Sequence, residues 1–260
     1  MPGRQLPTEL GRAEIVFLAV PDPSVPAVAA AVAGRVPRST AVVHLSGSLP
    51  LSSLAAATSA GHHAGSFHPF QSFPLERPPA AFAGSLIGVD ATDELLAGRL
   101  FDLARELGGR PRRVPDEQRA LYHVAAVLAS NLMVGLVSTS SSVLESMGWS
   151  REDALAALLP LLAGVVGNVS SEGLEGALIG PIRRGDAETV SRHLDELDRR
   201  GLEEPARVYR ILGIATLELA LAAGLERERG KQIREALTGL PAATGGERDD
   251  DGSRPSEVQG

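Results

Sequence analysis

The residues able to do chemistry at neutral pH are few in this 260-residue sequence. There is no cysteine, which excludes disulfides, thiol catalysis and thiolate metal sites. Lysine occurs once, at Lys231, so a lysine-dependent mechanism has a single candidate. Six histidines remain, none in an H-E-x-x-H spacing, and the adjacent His62-His63 pair reads as a polar loop. His123 and Asn131 lie eight residues apart in a helical pattern. Eight residues turn through about 800°, leaving an offset near 80°, so both can look into one cleft, with Ser130 near the same face. A histidine with an ordinary pKa of about 6.5 suits proton transfer to a developing alkoxide. The pair equally suits a structural role, a helix-start histidine and an asparagine satisfying a buried contact.

His68 sits in "GSFHPFQSFP", residues 65–74, which holds three of the six phenylalanines. Two prolines and a Gly-Ser lead make a long helix unfavourable there. The string reads as a strand running into a rigid, aromatic-lined loop, a place where binding groups collect; a structural histidine bonded to a backbone carbonyl fits too. Arg183 and Arg184, in "GPIRRGD", can pair bidentately with a substrate carboxylate or form a solvated surface pair, and Asp186 beside them reads as a helix cap.

The elements that must position these residues follow from periodicity. "EIVFLAV" (14–20) and "TAVVHLSGS" (40–48) have the pattern of buried parallel strands, emptying into "PDPS" and Ser46-Gly47-Ser48. "GSFHPF" and "SLIGVDA" give a third and a fourth strand, and "RPRRVP" a short edge strand. Helices are predicted over "PSVPAVAAAVAGRV", "LSSLAAATSAG" and "TDELLAGRLFDLARELGG". Alternation of this kind implies an α/β class with a parallel sheet.

After Pro115 the pattern is helical throughout. One long helix is predicted over 116–148, another opened by the capping serine Ser150, then three more to about Gly239. Their apolar content predicts that they bury each other or a partner chain. The organisation expected is thus a partial Rossmann-like domain (1–115), an all-α substrate and dimerisation domain (116–240), and a disordered acidic tail (241–260). The net charge of −7 argues against a nucleic-acid binder. Residues 124–144 carry no charge, yet seven are Ser, Thr or Asn and Gly135 interrupts them, which predicts a helix buried in protein and no membrane span. The polar start "MPGRQLPTELGRAE" has no signal-peptide core, so the cytoplasm is the expected location.

"FLAVPD", "HLSGS", "GSFHPFQSFP", "YHVAAVLASN" and "ALIGPIRRGD", in that order over residues 14 to about 225, resemble the 6-phosphogluconate dehydrogenase-like superfamily. The similarity is nearest to a family of dehydrogenase-like proteins that join a Rossmann-like domain to a helical C-terminal domain of unassigned function. The resemblance implies an oxidoreductase using NADP or NAD on a small oxo or imino acid, as in ketopantoate reductase, and a homodimer formed through the helical half. It implies that Val20, Pro21 and Asp22 border the cofactor ribose, and that Ser46 and Gly47 face nicotinamide and substrate. His68 resembles the His-Pro pair beside the cleft of prephenate dehydrogenases, and His68, Ser130 and Arg184 are the expected substrate contacts. His123 stands where ketopantoate reductase has its proton-donating lysine, and Asn131 matches the second of two asparagines there, Val127 replacing the first. The departure is large: no G-x-G-x-x-G occurs, and the chain starts where the strand after the first βαβ unit would be. The expectation is an upstream start or a repurposed relative, with weak or absent dinucleotide binding in the chain as written. A non-catalytic, dimeric binding or regulatory protein is the alternative.

Overall fold

The computed structural model describes residues 8–73 and 82–239; the expected acidic tail and Pro74 lie outside them. Five strands form one sheet in the order β1-β2-β3-β4-β5: Ile15–Leu18, Ala41–His44, Ala64–Pro69, Leu86–Ala91 and Arg110–Arg113. All four residues of β2 are buried, as a central strand covered on both faces requires. Helices α1 (Val25–Ala33) and α2 (Ala55–Ser59) cover β1 and β2 through Val25, Ala29, Val32 and Ala57, with Leu54 just before α2. Helix α3 (Glu94–Glu106) packs Leu96 and Leu100 onto Phe67, Ile87 and Val89. It starts at Asp93, whose carboxylate accepts from the backbone N–H groups of Leu95 and Leu96.

The sheet is mixed and not all parallel. β1, β2 and β3 run parallel, β3 and β4 antiparallel, and β4 and β5 parallel again. A parallel return needs a crossover of a dozen or more residues, usually a helix. Residues 70–85 include Pro74, Pro78 and Pro79, which do not suit a crossover helix, and the chain comes back antiparallel.

The chain divides into two compact units, at Val134 and Gly135. That boundary falls within the stretch predicted as one helix over 116–148, which is interrupted after α4 (Asp116–Ala129). Ser130 has φ −124° and ψ −79°, and α5 (Asn131–Glu145) starts after it. The Ser130 hydroxyl donates back to the Ala126 carbonyl at 2.6 Å, a local bond that competes with the helix ladder.

In the second unit follow α6 (Arg151–Ala177), α7 (Pro181–Arg184), α8 (Ala187–Arg199), α9 (Glu203–Ala222) and α10 (Arg227–Thr238). Ser150 caps α6 by accepting from the Asp153 N–H, and Asp186 caps α8 by accepting from the Thr189 N–H, both as predicted. Ile182, Val190, Leu194, Leu217, Ile233 and Leu237 make the core of α7–α10. α9 and α10 cross closely at Gly213, where a Cβ would stand 2.5 Å from a Leu237 methyl. α6 is different: of its 27 residues only Ala154 is buried. Its apolar side chains, and most of those on α4 and α5, are not buried by other helices of the same chain.

Candidate functional site

The site belongs wholly to the first unit, at the carboxyl ends of β1, β2 and β3. The chain leaves β1 through Val20, Pro21 and Asp22, and leaves β2 through Ser46, Gly47 and Ser48. The Asp22 carboxylate accepts from the Ser46 hydroxyl at 2.9 Å and the Ser48 hydroxyl at 2.8 Å, tying the two loops together. Ser46 Oγ in turn accepts from the backbone N–H groups of Ser48 and Leu49, each at 3.1 Å. Val20 is turned inward onto the β1–β2 core. Gly47 has no room for a side chain. A Cβ there would stand 2.7 Å from His68 Cε1 and Nε2 and 3.0 Å from His123 Nδ1. One close contact therefore joins a predicted cofactor residue to both predicted site histidines.

The period of two along β3 decides which way its side chains go. Ser66 and His68 share one face, and Phe67 points to the other, into the core with its ring 5.7 Å from Phe17. Of the three phenylalanines Phe70 lies against Tyr122, with ring centroids 4.9 Å apart and planes tilted by 54°; Phe73 pairs with Phe82 at 5.1 Å. So the aromatic concentration is divided between core, site and loop.

Above that face lies α4, with Arg119, Tyr122 and His123 at i, i+3 and i+4, all on one side of the helix. The His68 and His123 ring centroids are 6.3 Å apart. His68 Nδ1 lies 3.0 Å from the Tyr122 hydroxyl, which donates to the His68 carbonyl at 3.2 Å. With its one proton committed there, the hydroxyl accepts from Nδ1–H. That tautomer leaves His68 Nε2 as a bare lone pair facing Gly47. Burial first, then the neighbouring His123, lower the His68 pKa to about 4, so this ring is neutral at pH 7. Burial pushes the Tyr122 hydroxyl up to about 12, keeping it protonated.

Four members of this constellation were not singled out from the sequence: His44, Ser66, Arg119 and Tyr122. His44 pairs with Ser66 across β2 and β3, so both face α4. It is fully buried, and burial followed by the charge of Arg119 lowers its pKa to about 4. The Arg119 guanidinium is 1% exposed; it donates to Ser66 Oγ and to the Val114 carbonyl. Its Nε stands 3.5 Å from Asp116, whose two oxygens share the Leu51 N–H. Both ring nitrogens of His44, Nε and Nη1 of Arg119 and Nδ1 of His123 are buried without a hydrogen-bond partner among the described residues. A buried polar group in that condition costs about 1–3 kcal/mol, which water or a polar ligand would offset. The 119/122/123 spacing was the sequence signal that could have found this face.

Ser130 and Asn131 do not share it in the way the straight-helix argument required. The break at Ser130 ends the angular relation to His123, and Asn131 is exposed at the start of α5, its side-chain amide 3.0 Å from the Ser130 hydroxyl. Arg184 lies in the second unit, exposed, its carbonyl accepting from Arg229; Arg183 donates to the Ala223 carbonyl at 3.1 Å. Among the described residues no group of His, Asp and Glu is arranged to hold a metal.

For a dinucleotide the fit is partial. Gly47 lies against the two histidine rings, where even a Cβ would clash. Pyrophosphate needs backbone N–H groups at a helix N-terminus. The β1–α1 turn instead carries Pro21, Pro23 and Pro26, without N–H groups, and the carboxylate of Asp22. That turn does not suit an anion.

Residues 85–216 match a protein family described as a domain of unknown function, DUF2520. None of the curated proteins matches the sequence significantly. Among solved structures, protein TM1727 from Thermotoga maritima is 27% identical with a TM-score of 0.64, covering 80% of this chain and 79% of that one. A putative NADP oxidoreductase from Bacteroides fragilis is 22% identical with a TM-score of 0.63, covering 80% and 75%. Pyrroline carboxylate reductase from Plasmodium falciparum, solved with NADP bound, is 13% identical with a TM-score of 0.54, covering 90% and 86%. The shared fold is that of the 6-phosphogluconate dehydrogenase-like, Rossmann-type superfamily.

Proposed function

From a chain that belongs to the DUF2520 family, a domain of unknown function, we propose an oxidoreductase-type protein acting on a small oxo or imino acid with NADP or NAD. The observation carrying this reading is the contact of Gly47 with the His68 and His123 rings at the strand ends. Ligands in open α/β sheets bind at that end. A bound nicotinamide would exchange a hydride with the carbon of a C=O or C=N bond. The chain's own part is proton transfer and positioning. His123 is the proton donor, since His68 is held neutral and Tyr122 is held protonated far above neutral pH. His68 Nε2 accepts a hydrogen bond from substrate, and Gly47 sets the depth at which a substrate can sit. Asn131, Ser130 and Arg184 stay substrate candidates that the geometry does not tie to this face. The helical half is read as the homodimerisation half.

The second reading is a dimeric binding protein without cofactor chemistry, and the lack of a G-x-G-x-x-G in the given sequence favours it. Titration of NADPH fluorescence separates the two, beside NADPH oxidation over a panel of branched oxo acids and cyclic imines. We expect dinucleotide binding weaker than about 0.1 mM in the chain as written. Oxidoreductase function is supported by turnover that Gly47→Val abolishes. Absence of turnover over the whole panel, with NADPH bound or not, would leave the binding-protein reading standing.

A further inference from the structure

Arg119 is the largest fully buried side chain among the described residues. A guanidinium so deep in a fold is costly, and its place calls for an explanation. Its contacts tie three segments together. Nη2 donates to Ser66 Oγ on β3 and, at 3.0 Å, to the Val114 carbonyl just before α4. Nε stands 3.5 Å from Asp116, whose carboxylate accepts the Leu51 N–H beyond β2. The first turn of α4 is thereby held against the sheet. One turn on, the same helix presents Tyr122 to His68 Nδ1 and His123 Nδ1 to the point above Gly47 that His68 Nε2 also reaches. A displacement of α4 by about 1 Å would lose both contacts, an error that costs roughly 100-fold in rate where groups must be aligned.

We infer that Arg119 is the positioning residue of this site, holding α4 at the height where His123 meets His68 and setting a fixed positive charge behind the histidines. This rests on the reading of His123 as the proton donor. His44 faces Arg119, with Asp22 and Asp116 opposing it; His68 faces His123, Arg119 and His44, with Asp22 opposing them. Burial is the largest cause of the low pKa of both rings. Arg119 comes second for His44, and after His123 for His68. A fixed charge repels a second one, so a proton brought to the site stays off these two imidazoles and is left to His123. Lysine does not replace the arrangement, since it lacks the planar fork that reaches Ser66 and the Val114 carbonyl together.

Titration of the imidazoles followed by NMR reads the charge, and it needs neither cofactor nor substrate. Arg119→Met removes the charge and keeps much of the volume. It should move the titration of His44 up toward about 6.5 and that of His68 up by less. Arg119→Lys keeps the charge and loses the fork, so both titrations should stay low. In that variant the nuclear Overhauser contact between the His68 and His123 rings, whose centroids are 6.3 Å apart, should weaken. In the turnover panel it should lower kcat by about 10- to 100-fold with KM little changed. Unmoved titrations in Arg119→Met, or a larger shift at His68 than at His44, overturn the inference. So does an Arg119→Lys protein with an unchanged ring contact. If Arg119→Met does not fold, Arg119→Gln carries the titration. A protein that folds with neither uncharged residue at 119 owes Arg119 to stability alone, which also overturns it. An unmodified chain without turnover counts against the oxidoreductase reading and leaves the titration and the ring contact to decide on Arg119.

Discussion

The two units solve opposite problems. The first buries the apolar residues of its central strands, with Val42, Val43, Ile87 and Val89 at 0% exposure, and concentrates unpartnered polar atoms on the face beneath α4. The second satisfies its polar groups locally, through caps and i, i+3 or i, i+4 ion pairs, and leaves apolar surface bare along α6. Unmet polar demand inside a fold points to a small polar occupant, water or ligand. Unmet apolar surface outside a fold points to a macromolecular one. Chemistry and assembly are therefore read from deficits of opposite kind in one chain.

If the first unit is the chemical half, His123→Ala should lower turnover by about 100- to 10,000-fold, the usual loss for a general acid. NADPH affinity should change little, and His68→Ala should do less. The reverse order in steady-state kinetics would move the proton donor from α4 to β3. The burial contrast itself is tested by two leucines. Leu100→Ala, at a fully buried position, should cost about 2–5 kcal/mol in denaturant unfolding. Leu161→Ala, 63% exposed, should stay within about 0.5 kcal/mol in the dissociated chain. Equal losses would show that α6 is buried after all within its own chain.

The buried histidines make the first unit acid-sensitive. In the unfolded chain both imidazoles take up a proton near pH 6.5; in the fold His44 and His68 do so only at about pH 4. The unfolded state binds more protons between those values. Stability is thus intact above pH 6.5 and falls as pH drops through the window, by up to about 2.7 kcal/mol per unit for the pair. His44→Asn should roughly halve that slope; an unchanged slope would mean His44 is not held neutral. In the second unit the smallest effects are expected. Ser150→Ala and Asp186→Ala should each cost about 1 kcal/mol of thermal stability through lost caps.

The sequence made much of this legible. Strand and helix types through Arg113 follow from hydrophobic period and glycine stops, and the caps at Ser150 and Asp186 from residue type before an apolar run. Strand direction did not follow, because a buried strand reads alike whichever way its neighbour runs; the prolines between β3 and β4 were the sign of an antiparallel return. The break at Ser130 was hidden because a serine bonding back to residue i−4 leaves the apolar period unchanged. Gly47, His68 and His123 were singled out by resemblance and brought together by the fold. Arg119 and His44 were not, since charged and titratable residues are seldom fully buried and composition carries no hint of the exception.

The two ends of the sheet also differ in what they offer another strand. β5 reads Arg-Pro-Arg-Arg, and its proline has no N–H to give. β1, at the opposite edge, reads Ile-Val-Phe-Leu, with neither charge nor proline. Of the two edge strands among the described residues, β5 blunts the addition of a further strand and β1 has the sequence of an acceptor for one.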